Sequence, residues 1–361
     1  MKHIVWQPGK PLLLLDQRKL PWKKEYVTCK NCGEVAAAIK DMVVRGAPAI
    51  GAVAAVGMAL AAKEYTEGEK EGAWGSGPGG EGLLDFLEEA GRCLKESRPT
   101  AVNLAWAVDR MLARAARGLE EGEEDILGLL TAEAEAVSAE DIAANKRIGR
   151  HGLTLLPPAA RILTYCNAGS LATAGYGTAL GVVRAGHQAG RVSRVYACET
   201  RPYLQGARLT VYELSGEGIP VTLVTDNSAG YIMYNKMIDI VLVGADRITR
   251  QGHVANKIGT YSLAVLAHKH QIPFYVAAPL STFDLKISGL GDIPIEEREP
   301  FEVTHLAGKA IACEDVEVFH PAFDVTPAPL VTALITEKGI IREPDEAKIL
   351  QLFGEDREKC S

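Results

Sequence analysis

Leu155-Leu156-Pro157-Pro158, followed at once by Ala159-Ala160-Arg161-Ile162-Leu163-Thr164-Tyr165-Cys166, is where the chain changes rhythm. Each proline lacks an amide N–H and crowds the preceding turn, so the pair stops a helix. The run after it, Arg161–Cys166, is short and apolar and reads as a buried strand. Arg194–Cys198, Pro220–Thr225, Ile238–Ala245 and Pro273–Ala278 repeat the type, and helical patterns of a dozen or more residues separate several of them. Strands alternating with helices imply βαβ crossovers and a parallel sheet. Residues 155–361 are therefore expected to form a Rossmann-like, doubly wound α/β domain.

Upstream the spacing is helical. Ala36, Ala37, Ile39 and Val43 recur at helical spacing, as do Leu84, Phe86, Leu87, Ala90 and Leu94, and then Val102, Leu104, Ala105, Val108 and Leu112. A longer pattern runs from Ile126 through Leu130, Ala134 and Val137 to Ile142, with Gly152 as its stop. Residues 1–154 are thus expected to form a mainly helical N-terminal domain. Its opening residues, to Val27, read as short strands or hairpins. Gly68–Gly82 is Gly-rich and charged, and reads as a solvated loop.

A chain of 361 residues exceeds the usual span of one hydrophobic core, which agrees with two domains. Its 39 basic and 46 acidic residues give a net charge of −7, so no broad basic surface is expected for nucleic acid or anionic lipid. No apolar run is read as reaching the roughly 18 residues that span a bilayer. The N-terminus lacks the long apolar core of a signal peptide. The seven cysteines are odd in number and scattered, as free thiols in a reducing compartment would be. A cytoplasmic protein is expected.

Chemistry gathers where the strands end. Cys166-Asn167 closes the first run, Glu199-Thr200-Arg201 the second, Asp226-Asn227 the third and Asp246-Arg247 the fourth. Ligands of open parallel sheets bind outside the carboxyl ends of the strands, so these ends would deliver a thiol, carboxylates and guanidiniums to one edge. Cys166 reads either as a small buried hydrophobe or as a thiolate activated by a helix that Asn167–Ser170 would open. Asp246 reads either as a turn residue or as a carboxyl group held protonated in an apolar crevice for general-acid work.

Other patterns carry less. Cys29-Lys30-Asn31-Cys32 is a CxxC without a second pair or histidines, which points to local structure over a zinc site. Gly175-Tyr176-Gly177 with Gly181 reads as falling within a helix, where it would serve close packing instead of holding a dinucleotide. His268 and His270, two apart on a helix, face different ways. No P-loop, HExxH or GxSxG is present, and neither a metal nor a cofactor is expected. Phosphate-binding candidates stand at helix starts in both domains: Arg45-Gly46-Ala47-Pro48-Ala49, Arg98-Pro99-Thr100 and Asn256-Lys257. Their distribution suggests an anion held in the cleft between the domains.

These blocks resemble the methylthioribose-1-phosphate isomerase family. The resemblance rests on Val44–Gly51, Arg98–Leu104, Cys166–Thr173, Glu199–Pro202, Leu204–Thr210, Gly244–Ile248, Asn256–Thr260 and Pro321–Pro327, in order, and spans roughly residues 35 to 345. It implies that Cys166 and Asp246 are catalytic and that Arg45, Gly46, Ala47, Arg98, Gln205, Asn256 and Lys257 contact substrate. It also implies a homodimer, a sugar-phosphate substrate and a step of methionine salvage. Tyr165, Ser228 and His320 depart from the family's usual residues. Sister enzymes act on 5-deoxyribose 1-phosphate or ribose 1,5-bisphosphate, so the substituent at C5 stays open. Non-catalytic regulatory subunits of an initiation-factor exchange factor share the fold and form the rival reading. A nicotinamide-dependent dehydrogenase is disfavoured by the missing fingerprint after the first strand.

The implied reaction fits the residues. An aldose 1-phosphate is locked as a ring until an acid protonates the ring oxygen, a role for Asp246. Cys166 would then take the C2 proton, giving an enol phosphate that becomes the 1-phospho-ketose. A hydride shift from C2 to C1 is the alternative at this second step.

Overall fold

The structure, a computed structural model, describes residues 2–70, 81–98 and 101–354. The chain packs as two compact units, Met1–Ala143 with Leu171–Tyr176, and Ala144–Ser170 with Gly177–Ser361.

The first unit opens with β1 (Ile4–Val5), β2 (Leu12–Leu15) and β3 (Tyr26–Cys29), an antiparallel sheet in the order of the chain. Helices α1 (Cys32–Lys40), α2 (Ala47–Lys70), α3 (Glu81–Ser97), α4 (Val102–Glu120) and the first part of α5 (Ile126–Leu153) follow. The CxxC is the junction of β3 and α1. The Asn31 side chain caps the helix by accepting the Glu34 N–H at 2.8 Å, and both thiols are buried. Burial pushes Cys29 up to about 11 and Cys32 up to about 12, so both are neutral thiols packed as hydrophobes.

Helix α2 corrects one expectation. Ala47–Gly68 is 22 residues long and its most apolar window has a mean hydropathy of 1.3, enough by length and composition to cross a bilayer. Small residues spread along the run hide it from a search for bulky apolar side chains. Its most apolar window is 83% buried, so its hydrophobicity has a protein destination. Val53, Met58 and Leu60 pack in one core with Leu87 and Leu94 of α3 and Leu104, Val108 and Met111 of α4. The expected loop at Gly68–Gly82 lies mostly outside the described residues, and its flanks are helical.

The second unit holds, among the described residues, a seven-stranded sheet. Its strands are β4 (Ala160–Thr164), β5 (Val192–Cys198), β6 (Val221–Val224), β7 (Ile240–Val243), β10 (Phe274–Ala277), β15 (Ala333–Ile335) and β16 (Ile340–Arg342). The order is β16-β15-β10-β7-β4-β5-β6, all parallel except the β15–β16 pair. The chain starts in the middle at β4, winds outward through β5 and β6, then returns to β7 and winds the other way. This is the doubly wound order, and its switch point lies between β4 and β7. Alternation along each strand fills both faces. Leu163, Val241, Val243 and Val276 join one core, while Ile162, Ile240, Leu242 and Tyr275 join the other.

Helices α6 (Ala179–Gln188), α7 (Val211–Gly216), α8 (Ala229–Tyr234) and α9 (Thr260–Lys269) connect these strands. A smaller sheet, β11-β8-β9-β14, joins β8 (Arg247–Thr249), β9 (Val254–Lys257), β11 (Phe283–Asp284) and β14 (Phe323–Thr326). Helix α10 (Phe301–Thr304), a ribbon of β12 (His305–Leu306) and β13 (Lys309–Ala310), and α11 (Glu346–Gly354) complete the described residues.

Two local expectations fail after β4. Asn167–Ser170 opens no helix: only a single 3₁₀ turn, Ser170–Ala172, precedes α6 at Ala179. Gly175, Tyr176 and Gly177 therefore lie in the strand-to-helix connection and not inside a helix. Gly177 does serve close packing, since a Cβ there would come within 2.5 Å of the Gly169 backbone. The detour has a packing cause, because Leu171–Tyr176 belongs with the first unit. The expected domain break at 154/155 lies just past α5, whereas packing assigns Ala144–Ser170 to the second unit.

Candidate active site

The switch point sets two loops side by side, one after β4 and one after β7. Cys166 stands two residues beyond β4, half-buried and in the left-handed conformation with φ 58°. Its N–H donates to Thr200 Oγ1 at 2.9 Å, and its carbonyl accepts from Thr210 Oγ1 at 2.6 Å. Thr200, after β5, is itself left-handed at φ 67°, as is Leu204 at φ 58°. Non-glycine residues so held cost about 1–3 kcal/mol each and gather at functional sites.

Asp246 lies between β7 and β8, half-buried, with its N–H bonded to the Ala255 carbonyl at 2.9 Å. That bond closes the β8–β9 hairpin, which carries Asn256 and Lys257 back to the same region. Lys257 is buried at 4% exposure, its Nζ 4.7 Å from the centre of the Phe323 ring. Burial, helped by nearby Arg298, lowers its pKa to about 8, while Cys166, Asp246 and Glu302 pull it back up. Cys166 and Asp246 are thus each within electrostatic reach of Lys257. Asn256 is buried beside them, but its amide donates to Thr260 Oγ1 at 3.0 Å, which ties it to the start of α9.

The loop after Lys257 runs close under β4. Gly259 has φ 103°, and a Cβ there would lie 2.3 Å from the Tyr165 hydroxyl. Only glycine fits both the conformation and the space. Asp324 accepts the N–H groups of Gly259 and Tyr261 at 2.7 and 3.0 Å, and burial still pushes its carboxyl up to about 6. Gln205 introduces a single π-turn, Gly206–Thr210, the same turn that brings Thr210 to Cys166. Gln205 is 2% exposed, and among the described residues its amide oxygen has no hydrogen-bond partner. A buried acceptor left open is costly unless a ligand or water fills it. Such π-turns recur at functional sites.

The remaining expected contacts belong to the first unit. Arg45 is buried at 6% exposure, just before α2, and Gly46 has φ 99°. A Cβ on Gly46 would fall 2.5 Å from the Ala172 backbone, so the turn requires glycine. Ala47 begins α2, and the Gly46 carbonyl accepts the Ile50 N–H at 3.0 Å. Arg98 follows α3 and lines a surface cavity of about 550 Å³ with Arg92 and Lys95. Pro99 and Thr100 lie outside the described residues.

Some residues of the site left no local mark in the sequence. Glu213, on α7, is buried and accepts from Asn167 Nδ2 at 2.9 Å, from Ser170 N–H at 2.7 Å and from Arg184 at 2.7 Å. Burial alone would raise its pKa; Arg184, Ser170 and Asn167 outweigh that and hold it ionised. Asp226, read from the sequence as a reactive strand end, instead binds the Thr200 and Arg201 N–H groups at 2.8 and 2.7 Å. Arg298 lies 5.9 Å from the Phe323 ring centre, and the buried His320 ring lies 3.8 Å from Glu302. Among the described residues no group of three or more His, Cys, Asp or Glu side chains is arranged for a metal.

Residues 43–343 match the Initiation factor 2 subunit family. The chain is 56% identical over 339 residues to methylthioribose-1-phosphate isomerase of Pelotomaculum thermopropionicum, covering 94% of this chain and 90% of that one. The chain belongs to the initiation factor 2 subunit family, in its methylthioribose-1-phosphate isomerase group. Its fold agrees with the crystal structure of 5-methylthioribose 1-phosphate isomerase from Pyrococcus horikoshii OT3, with a TM-score of 0.87, 43% identity and coverage of 98% and 96%. The crystal structure of translation initiation factor eIF-2B, subunit delta, from A. fulgidus is also similar, with a TM-score of 0.80, 46% identity and coverage of 97% and 99%.

The state of Lys257 gives a pH signature. Its ammonium is charged below about 8 and is lost as pH rises through that value, where an exposed lysine would still be fully cationic. Affinity for a phosphate-bearing ligand, read as KM or as product inhibition, should therefore weaken above about pH 8. A flat profile from about pH 7 to pH 9.5 would contradict a role for this cation.

Proposed function

We propose that this chain isomerises 5-methylthioribose 1-phosphate, an aldose 1-phosphate, to the 1-phospho-ketose. The observation that carries the reading is that Cys166 and Asp246, beyond the two strands of the switch point, each lie within electrostatic reach of buried Lys257. It stands on a chain more than half identical to relatives named for this activity.

Asp246 donates a proton to the ring oxygen, and the C1–O bond of the ring breaks as a phosphate-ester oxygen lone pair stabilises C1. Cys166 then takes the C2 proton, and the electron pair of that C–H bond forms the C1–C2 double bond of an enol phosphate. Returning the proton to C1 and releasing the C2 hydroxyl proton leaves the ketone at C2. In the alternative second step the C2 hydrogen moves to C1 with its electron pair, and the thiol serves only as environment. Lys257 and Gln205 hold the substrate's polar groups, with Asn256 ordering the loop that carries Lys257. By the resemblance alone, Arg45, Gly46, Ala47 and Arg98 are read as further substrate contacts. A proton transfer by a placed side chain is typically worth about 10²–10⁴-fold, so exclusion of water must add to it.

The likeness to the A. fulgidus initiation-factor subunit favours a second reading, a regulatory subunit that binds without turnover. Turnover separates the two. The chain should convert methylthioribose 1-phosphate faster than 5-deoxyribose 1-phosphate or ribose 1,5-bisphosphate; no turnover on any of them would leave the binding-subunit reading. The resemblance further leads us to read the protein as a cytoplasmic homodimer without nucleic-acid or membrane partners. Light scattering should then give about twice the chain mass of 38.7 kDa, and a monomer would refute it.

The residue roles have a direct test. Cys166→Ser keeps the shape but offers a hydroxyl far too weakly acidic to act as a base, and Asp246→Asn removes the transferable proton. Each should lower kcat by at least about 10²-fold with little change in Tm, and the double variant should be little worse than either single one. A Cys166→Ser protein with most of its turnover would make the thiol a packing residue. Solvent deuterium found at C1 of the product supports the enol phosphate, and its absence supports the hydride shift.

A further inference from the structure

We propose that Thr200 and Thr210 are positioning residues that clamp the Cys166 peptide from both ends and so fix the direction of its thiol. The inference rests on the reading of Cys166 as the base.

The geometry is that of a two-sided clamp. The Cys166 N–H donates to Thr200 Oγ1 at 2.9 Å, and the same hydroxyl donates onward to the Cys198 carbonyl at 3.1 Å. On the other side Thr210 Oγ1 donates to the Cys166 carbonyl at 2.6 Å and accepts from Asn167 Nδ2 at 3.2 Å. Both threonines are fully buried. Cys166 and Thr200 are each left-handed, at φ 58° and 67°, a region that β-branched residues in particular avoid. The chain left to itself would relax to ordinary backbone angles and swing the Cα–Cβ bond of Cys166 away.

Each half of the clamp is itself braced. Asp226 accepts the N–H of Thr200 and of Arg201, which holds Thr200 in its unfavourable conformation. Glu213 binds Asn167 and both the N–H and the hydroxyl of Ser170, which fixes the chain just beyond Cys166. The bracing carboxylates come from the loop after β6 and from α7, remote in sequence from the cysteine. Such convergence on one peptide exceeds what satisfying two buried hydroxyls requires.

The test uses the full-length protein with Thr200→Val, Thr200→Ser, Thr210→Val and, alongside them, Cys166→Ser. Valine keeps the volume of threonine and removes the hydroxyl. Thr200→Val should lose about 10- to 100-fold in kcat with KM unchanged within about twofold, since misplacement of a reacting group costs that much. Thr200→Ser should restore most of the loss. Alkylation of Cys166 by iodoacetamide, followed at that peptide by mass spectrometry with exposed Cys93 and Cys313 as internal references, should change in rate in the valine variants and not in Thr200→Ser. If Thr200→Val does not fold, Thr210→Val carries the same expectations. A Thr→Val variant that folds and keeps kcat within about twofold overturns the clamp. So does a loss of kcat with the Cys166 alkylation rate unchanged. Full activity in Cys166→Ser would instead remove the base assignment, and loss there with the valine variants unaffected would remove the clamp alone.

Discussion

The pairing of β4 with β7, through Ile162 with Ile240 and Leu163 with Val241, is the constraint on which the second unit depends. Crossovers from these neighbouring strands leave toward opposite sides of the sheet, so nothing regular covers their carboxyl ends. A thiol placed after one strand and a carboxyl group after the other become neighbours without any closeness in sequence. Moving either strand to another place in the order would separate them.

What gathers around that opening is polar and buried, and its energetics explain its architecture. A lysine at 4% exposure is tolerable only because Cys166, Asp246 and Glu302 lie near enough to offset part of its desolvation and Phe323 offers a ring face. The pKa of about 8 records that the offset is incomplete. A site left short of negative charge is suited to an anion. Gln205, with an open buried acceptor, adds a second unmet demand in the same unit. Against these stand groups that are fully committed: Glu213 with Arg184, and Asp226 with two backbone amides. The site therefore divides into side chains held ready and side chains that do the holding.

Much of the fold was legible because burial imposes periods on a sequence. Strand-length apolar runs after Pro158 located β4, β5, β6, β7 and β10 within a few residues, and helical spacing located α1, α3, α4 and α5. The failures share one cause. The helix expected at Asn167–Ser170 and the one expected around Gly175–Gly177 were inferred from local composition, but the stretch between them, Leu171–Tyr176, packs as part of the first unit. Likewise α2 hid a long apolar run in alanine and glycine, whose destination only its neighbours reveal.

The sequence by itself determined the alternation of strand and helix, the polar residues at each strand end and, through its resemblance, the names of Cys166 and Asp246. Local covalent chemistry and periodic burial are one-dimensional properties and can be read along a chain. Tertiary structure alone decided that Asp226 accepts the backbone amides of Thr200 and Arg201, that Glu213 and Arg184 stand behind the cysteine loop, and that two threonines 34 and 44 residues downstream hold the Cys166 peptide. Those facts depend on which strand lies beside which. Hydrogen bonds across such distances leave no period in the sequence, because their partners are brought together only when the sheet is wound.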